Sequence, residues 1–159
     1  RRMPGRVAGL VLVDTLVDFE FRLPAEEMEK ALSALQADYR ATTTAFLSQY
    51  MFSASTPEPV KARVLETMLS VPQEIAVAVA PLSMYDPLPA LREIKAPIRA
   101  INSDLLFPTN VEVNRKYVPG YQAAIMKGVG HYLMLEQPEA FNALLAEALR
   151  ELARSGGRR

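Results

Sequence analysis

Hydrophobic and polar positions change period several times along the chain. From Arg6 to Asp14 the order R-V-A-G-L-V-L-V-D is a continuous apolar run, with Pro4-Gly5 before it and polar residues after it. A run without alternation predicts a strand over Arg6–Val13 that is covered on both faces, as in a parallel sheet. From Pro24 to about Tyr50 the period becomes helical, with Met28, Leu32, Leu35 and Tyr39 on one face and Glu26, Glu27, Lys30 and Gln36 on others. The β-branched run Thr42, Thr43, Thr44 predicts a break in that face before Phe46, Leu47 and Tyr50 continue it. Thr56-Pro57-Glu58 reads as an N-cap, a first-turn proline and an acid facing the helix dipole, ahead of a stripe at Val60, Val64, Leu65, Met68 and Leu69. Pro72 and Pro81 bracket a further segment around Ile75 and Val79, read as a helix although its small, apolar residues also suit a strand.

After Tyr85-Asp86-Pro87 the pattern passes through a helical turn at Ala90 to Ile94 into a compact strand, Pro97–Ile101, which Asn102-Ser103-Asp104 ends. Thr109 or Asn110 caps a helix to about Tyr117, and Val118-Pro119-Gly120 stops it. Tyr121 to Met126 predicts a third strand, followed by Lys127-Gly128-Val129-Gly130-His131. A last helix starts near Pro138, with Phe141, Leu144, Leu145, Ala148, Leu149 and Leu152 as its stripe; Ser155 to Arg159 reads as a polar tail. Strand, helical segment, strand, helix, strand, helix defines the α/β class with a mostly parallel sheet. The organisation is a core strand within 1–15, a helical insertion over 16–88, the remainder of the core over 89–154 and a flexible tail over 155–159. Phe19, Phe21, Phe46, Met51, Phe52, Met68 and Met84 are expected to fill the core around the insertion.

Composition narrows the function classes. Half of the 159 residues are hydrophobic, so the chain can bury enough surface to fold. Eighteen Lys and Arg balance eighteen Asp and Glu, which leaves no overall basic field for nucleic acid or anionic lipid. The lack of cysteine and the single histidine exclude a Cys or His-rich metal centre, and no cofactor is implied. The absence of cysteine also fits the cytoplasm. No apolar run approaches the roughly 20 residues of a membrane span.

Candidate chemistry falls at the carboxyl ends of the predicted strands, where open α/β sheets gather ligands. Asp14 closes the first, Asp104 the second, and His131 follows the third after two glycines. The 27 residues from Asp104 to His131 suffice for a crossover helix and a return strand, which delivers both side chains to one end of the sheet. A carboxylate beside an imidazole fixes its tautomer and stabilises the imidazolium formed when histidine acts as a base. Taken singly, His131 also reads as a packing residue, and Asp14 and Asp104 as turn residues.

Together, R-V-A-G-L-V-L-V-D-T, the helical insertion, I-K-A-P-I-R-A-I-N-S-D and G-V-G-H-Y-L-M-L-E-Q-P-E-A-F-N-A-L-L resemble the C-terminal half of the α/β-hydrolase fold family. The most specific piece is G-H-x4-E-x-P-x2-F, here Gly130, His131, Glu136, Pro138 and Phe141, which is similar to the family's catalytic-histidine segment. The resemblance implies that 16–88 is the family's variable cap, His131 the general base and Asp104 its orienting acid. The acid loop lacks the family's usual glycine before the acid, and Leu105-Leu106-Phe107 follows it, so Asp14 is the alternate acid.

A G-x-S-x-G nucleophile elbow occurs nowhere in the sequence. In the family it lies upstream of the strand that Arg6–Val13 resembles. The chain, which opens on Arg1-Arg2-Met3, therefore reads as the C-terminal part of a longer hydrolase acting on an ester, lactone or similar small apolar acyl substrate, and is expected to be inert by itself. An upstream Asp nucleophile implies epoxide-hydrolase-like or dehalogenase-like chemistry instead, and a ligand-binding protein on the same fold is the non-catalytic alternative. An unpaired edge on the first strand is expected to promote association.

Overall fold

The computed structural model describes residues 6–81 and 86–156. Pro4-Gly5, Met84, Tyr85 and residues 157–159 of the predicted tail lie outside the described residues. Three strands, β1 (Leu10–Val13), β2 (Ile98–Ser103) and β3 (Gln122–Met126), form a parallel sheet in the order β1-β2-β3. The register runs from Leu10 opposite Ile98 to Val13 opposite Ile101, and from Arg99 opposite Gln122 to Ser103 opposite Met126. The first strand is shorter than its apolar run, because pairing with β2 begins only at Leu10.

Alternate residues of each strand feed two separate cores, as the twofold period of a strand requires. On one face Leu10, Leu12, Ile98, Ala100 and Ala123 pack with Phe19, Leu91, Val118 and Tyr121. On the other, Val11, Val13, Ile101 and Met126 pack with Val129, Leu133, Phe141, Leu144 and Leu145. The second layer is α8 (Pro138–Gly156), whose stripe buries Phe141, Ala148 and Leu152 but leaves Leu149 exposed. The backbone of Ser155 and Gly156 continues this helix, so the tail begins later than the polar sequence implies. Partial burial on both faces thus accounts for the unbroken apolar run of β1.

Between β1 and β2 the described residues form α1 (Ala25–Ala37), α2 (Tyr39–Phe46), α3 (Glu58–Leu69), α4 (Gln73–Val79) and α5 (Leu88–Glu93); α6 (Val111–Tyr117) joins β2 to β3. The break in the first helical stretch falls at Asp38 and not at the threonines. Asp38 has φ −150° and ψ 91°, and its carboxylate accepts the Ala41 N–H at 2.9 Å, an N-cap that starts α2. The threonines are held inside α2, where the Thr42 hydroxyl donates to the Ala34 carbonyl across the break. Nor does Thr56 cap α3: its buried hydroxyl accepts the Ser53 N–H at 2.8 Å, while the Pro57 carbonyl takes the first helical N–H groups, from Val60 and Lys61. Leu47–Met51 is a single turn of π-helix in which the Phe52 N–H reaches back to the Leu47 carbonyl. Of the expected core side chains, Phe19 and Phe52 are buried, whereas Phe21 and Phe46 are about half exposed and stack on Phe107 and Tyr50.

Tyr121 is fully buried, and its hydroxyl has no hydrogen-bond partner among the described residues. Burial raises its phenol above the ordinary 10.0, against a smaller opposing pull from the Asn114 and Asn102 amides. A phenol kept neutral in the folded state but free to ionise in the unfolded one favours unfolding once the pH passes the unfolded value. Stability is therefore expected to fall as pH rises above about 10, and Tyr121→Phe to flatten that decline in urea titrations at successive pH values.

Candidate active site

The site is built at the carboxyl ends of the three parallel strands. β1 ends at Asp14, whose N–H still donates to the Ile101 carbonyl of β2 at 2.9 Å. The chain then turns sharply: Asp14 has φ 45° and Leu16 φ 52°, a left-handed backbone uncommon outside glycine and most costly for a residue such as leucine. This turn leaves the Asp14 carboxylate over the end of β2. There Oδ1 accepts the Ser103 N–H at 2.6 Å and Oδ2 accepts the Ser103 hydroxyl at 3.1 Å.

The same Oδ2 accepts a hydrogen bond from His131 Nδ1 at 2.8 Å. Only 9% of the Asp14 side chain is exposed, against 37% of the imidazole. Because a carboxylate can only accept, this bond puts the ring proton on Nδ1 and leaves Nε2 as the atom that exchanges protons. Tyr132 stands edge-on to the ring, with centroids 5.2 Å apart.

The structure brings His131 to Asp14, and not to Asp104, the acid first expected for it. Asp104 instead accepts the Gly128 N–H at 2.8 Å. Gly128 has φ 70°, which a glycine adopts at little cost, and it turns the chain after β3 back across the end of β2. The crossing carries His131 past the neighbouring strand to β1. Spacing along the sequence favours Asp104 because it assumes that adjacent strands supply the pair; the turn at Gly128 overrides it.

The histidine loop is tied at Gly128, Gly130 and His131. The Ser55 hydroxyl donates to the Gly128 carbonyl, the Gly130 N–H donates to Glu136 Oε2 at 2.8 Å, and the His131 N–H donates to the Met51 carbonyl at 2.9 Å. Ser103, Met51 and Ser55 escape the sequence reading, since nothing in their spacing marks them as neighbours of His131. A side chain at Gly130 has no room: a Cβ there would lie 2.6 Å from Glu136 Oε1 and 2.7 Å from the Met51 carbonyl. Gly130→Ala is expected to cost about 1–3 kcal/mol, measurable by urea denaturation.

Asp14, Ser103 and His131 open into a cavity of about 240 Å³ whose other walls include Leu16, Val17, Phe21, Met51, Leu106 and Phe107. The lining is apolar apart from the pair and a few small polar groups. Among the described residues no cluster of three or more His, Asp or Glu stands ready to hold a metal, and no helix is long and apolar enough to cross a membrane.

Comparison with solved structures identifies the fold. The chain is similar to an esterase from Thermogutta terrifontis (TM-score 0.74, 22% identity, 92% of this chain and 57% of that one). It is similar also to a hydrolase from Oleispira antarctica (TM-score 0.76, 15% identity, 91% and 57%). A third is an N-acyl homoserine lactone degrading enzyme (TM-score 0.56, 27% identity, 79% and 51%). The chain therefore has the α/β-hydrolase fold, of which it carries the C-terminal part. It spans between half and three fifths of the length of these structures, which are esterases and other hydrolases. No protein-family model and no curated protein matches the sequence.

Proposed function

We propose that these residues supply the histidine and acid of a hydrolase that cleaves an ester, lactone or similar small apolar acyl compound. His131 is the general base and Asp14 the acid that orients it; the nucleophile comes from residues other than these 159. The observation that carries the reading is the 2.8 Å bond from His131 Nδ1 to a carboxylate that is itself held by two hydrogen bonds from Ser103.

A hydroxyl nucleophile is weak until a base accepts its proton as it attacks the carbonyl. Here His131 Nε2 takes that proton, and the imidazolium so formed is stabilised by Asp14, which remains ionised. The same Nε2 then returns the proton to the leaving oxygen, and a second cycle with water as the attacking group releases the acid. The apolar walls around Leu16, Phe21, Leu106 and Phe107 support an apolar acyl substrate. The cysteine-free sequence is compatible with a cytoplasmic setting.

Sequencing the encoding DNA upstream of the Arg1 codon tests this directly. The expected result is an open frame that contains G-x-S-x-G. An Asp at the elbow redirects the reading to chemistry through an alkyl-enzyme ester, and a start codon next to Arg1 removes the catalytic reading. The purified 159-residue chain is expected to show no turnover of p-nitrophenyl esters above the buffer rate. Measurable hydrolysis that survives His131→Ala would come from a contaminant; hydrolysis abolished by it would place the nucleophile within this chain.

A further inference from the structure

Glu136 belongs to the G-H-x4-E segment, yet the proton transfers proposed for His131 give it no part. Its place in the fold suggests one. The short helix α7 (Leu133–Glu136) is pinned by the fully buried Leu133. The N–H groups of Leu135 and Glu136 both return to the Tyr132 carbonyl, at 2.8 and 3.0 Å. This tight turn brings the Glu136 side chain back onto Gly130, the residue before the histidine.

Two consecutive N–H groups are thereby held from different elements. Gly130 donates to Glu136 Oε2, and His131 donates to the Met51 carbonyl at the end of the π turn. A Cβ placed on Gly130 would collide with Glu136 Oε1 and with the Met51 carbonyl oxygen, so Glu136 and Met51 pack directly against this one residue. Glu136 Oε1 is buried and has no hydrogen-bond partner among the described residues. One carboxylate oxygen is thus committed to the histidine loop, and the other lies against the glycine.

We infer that Glu136 is a positioning residue: acting through the Gly130 N–H, it fixes the backbone that carries His131 and so holds the imidazole in register with Asp14. This rests on the His131–Asp14 pair proposed above. The turn it restrains is short, so its loss is felt one residue away at the ring. Because only Oε2 is used, the amide oxygen of glutamine serves in its place, whereas shorter side chains do not reach.

The test uses the 159-residue chain and two NMR signals, the His131 Nδ1–H resonance and the hydrogen exchange rate of the Gly130 amide. In the unmodified chain Nδ1–H is expected to be observable, far downfield, and abolished by Asp14→Asn. Glu136→Ala and Glu136→Asp are expected to speed Gly130 exchange about tenfold or more and to broaden or erase the Nδ1–H signal. Glu136→Gln is expected to keep both close to the parent. Should Glu136→Ala fail to fold, Glu136→Asp and Glu136→Gln decide the matter between them. The inference is overturned if the Ala or Asp variant keeps the imidazole signal, or if Gln loses it as fully as Ala. Absence of the Nδ1–H signal from the unmodified folded chain would instead remove the His131–Asp14 reading itself.

Discussion

Asp14→Asn is expected to lower kcat about 10⁴-fold in a protein that presents these residues to a nucleophile, whereas Asp104→Asn lowers it less than about tenfold. The contrast follows from which carboxylate touches the ring. Asp14 accepts the Nδ1 proton and faces an imidazole that becomes positive during the reaction. Asparagine at that position can turn its NH₂ toward Nδ1 and so select the wrong tautomer, which leaves Nε2 protonated and unable to act as a base. Asp104 bonds a backbone amide, Gly128 N–H, which the amide oxygen of asparagine can still accept, on a loop that also keeps its ties at Gly130 and His131. His131→Ala is expected to match or exceed the Asp14 effect. Steady-state kinetics of the three variants against one ester settle the assignment. An Asp104 variant as impaired as the Asp14 variant, with unchanged stability, would restore Asp104 as the acid.

The largest effect on stability is expected at Asn114, which lies on α6 and is fully buried. Its Oδ1 accepts the Phe19 N–H at 2.8 Å, and its Nδ2 donates to the carbonyls of Val17, at 3.1 Å, and Leu16. These are the backbone groups of the segment that leaves β1 immediately after Asp14. Of these, the Val17 carbonyl also accepts the Asn110 N–H at 2.8 Å, whereas the buried Phe19 N–H is held by the Asn114 side chain, which substitutes there for secondary structure. Asn114→Ala strands the buried Phe19 N–H, at about 1–3 kcal/mol, and leaves a void in place of a fully buried amide, for a loss of about 3–4 kcal/mol. That is a large share of the roughly 5–15 kcal/mol that holds a domain together. Thermal unfolding of the chain is expected to shift down by about 6–16 °C. Asn114→Asp keeps the acceptor but loses the donor and buries a charge, so it is expected to be at least as damaging. A shift below about 2 °C for both variants would show that the segment is held by other contacts. Leu16 and Val17 also line the cavity, so the same substitution is expected to loosen the wall of the site.

Where the pattern was strong and local, it carried through to the structure. The apolar runs of β1 and β2 and the stripe of α8 are properties of contiguous residues, and burial on a sheet face or a helix stripe is dictated by their period. Asn110 as the α6 cap is equally local: its side chain accepts the Val113 N–H three residues on. The helix break was legible as a break but not as a position. Three threonines weaken a helix by propensity alone, whereas Asp38 ends one helix and starts the next by offering a better acceptor. Thr56 shows the reverse case, a good capping residue taken by another backbone amide. Phe21 reads as a core residue from the sequence, whereas the fold leaves it half exposed beside the cavity, against Phe107.

The sequence by itself determined the α/β class, the succession of strands and helices along the chain, and the presence of two acids and one histidine at the strand ends, because periodicity and turn chemistry act over a few neighbouring residues. The tertiary structure alone decided which acid meets His131. That choice depends on the left-handed turn at Asp14 and on Gly128 leading the chain over β2. It depends also on the carboxylate of Glu136 and the carbonyl of Met51 closing on the histidine loop. These contacts join residues up to 117 positions apart, and no local pattern encodes a distance of that kind.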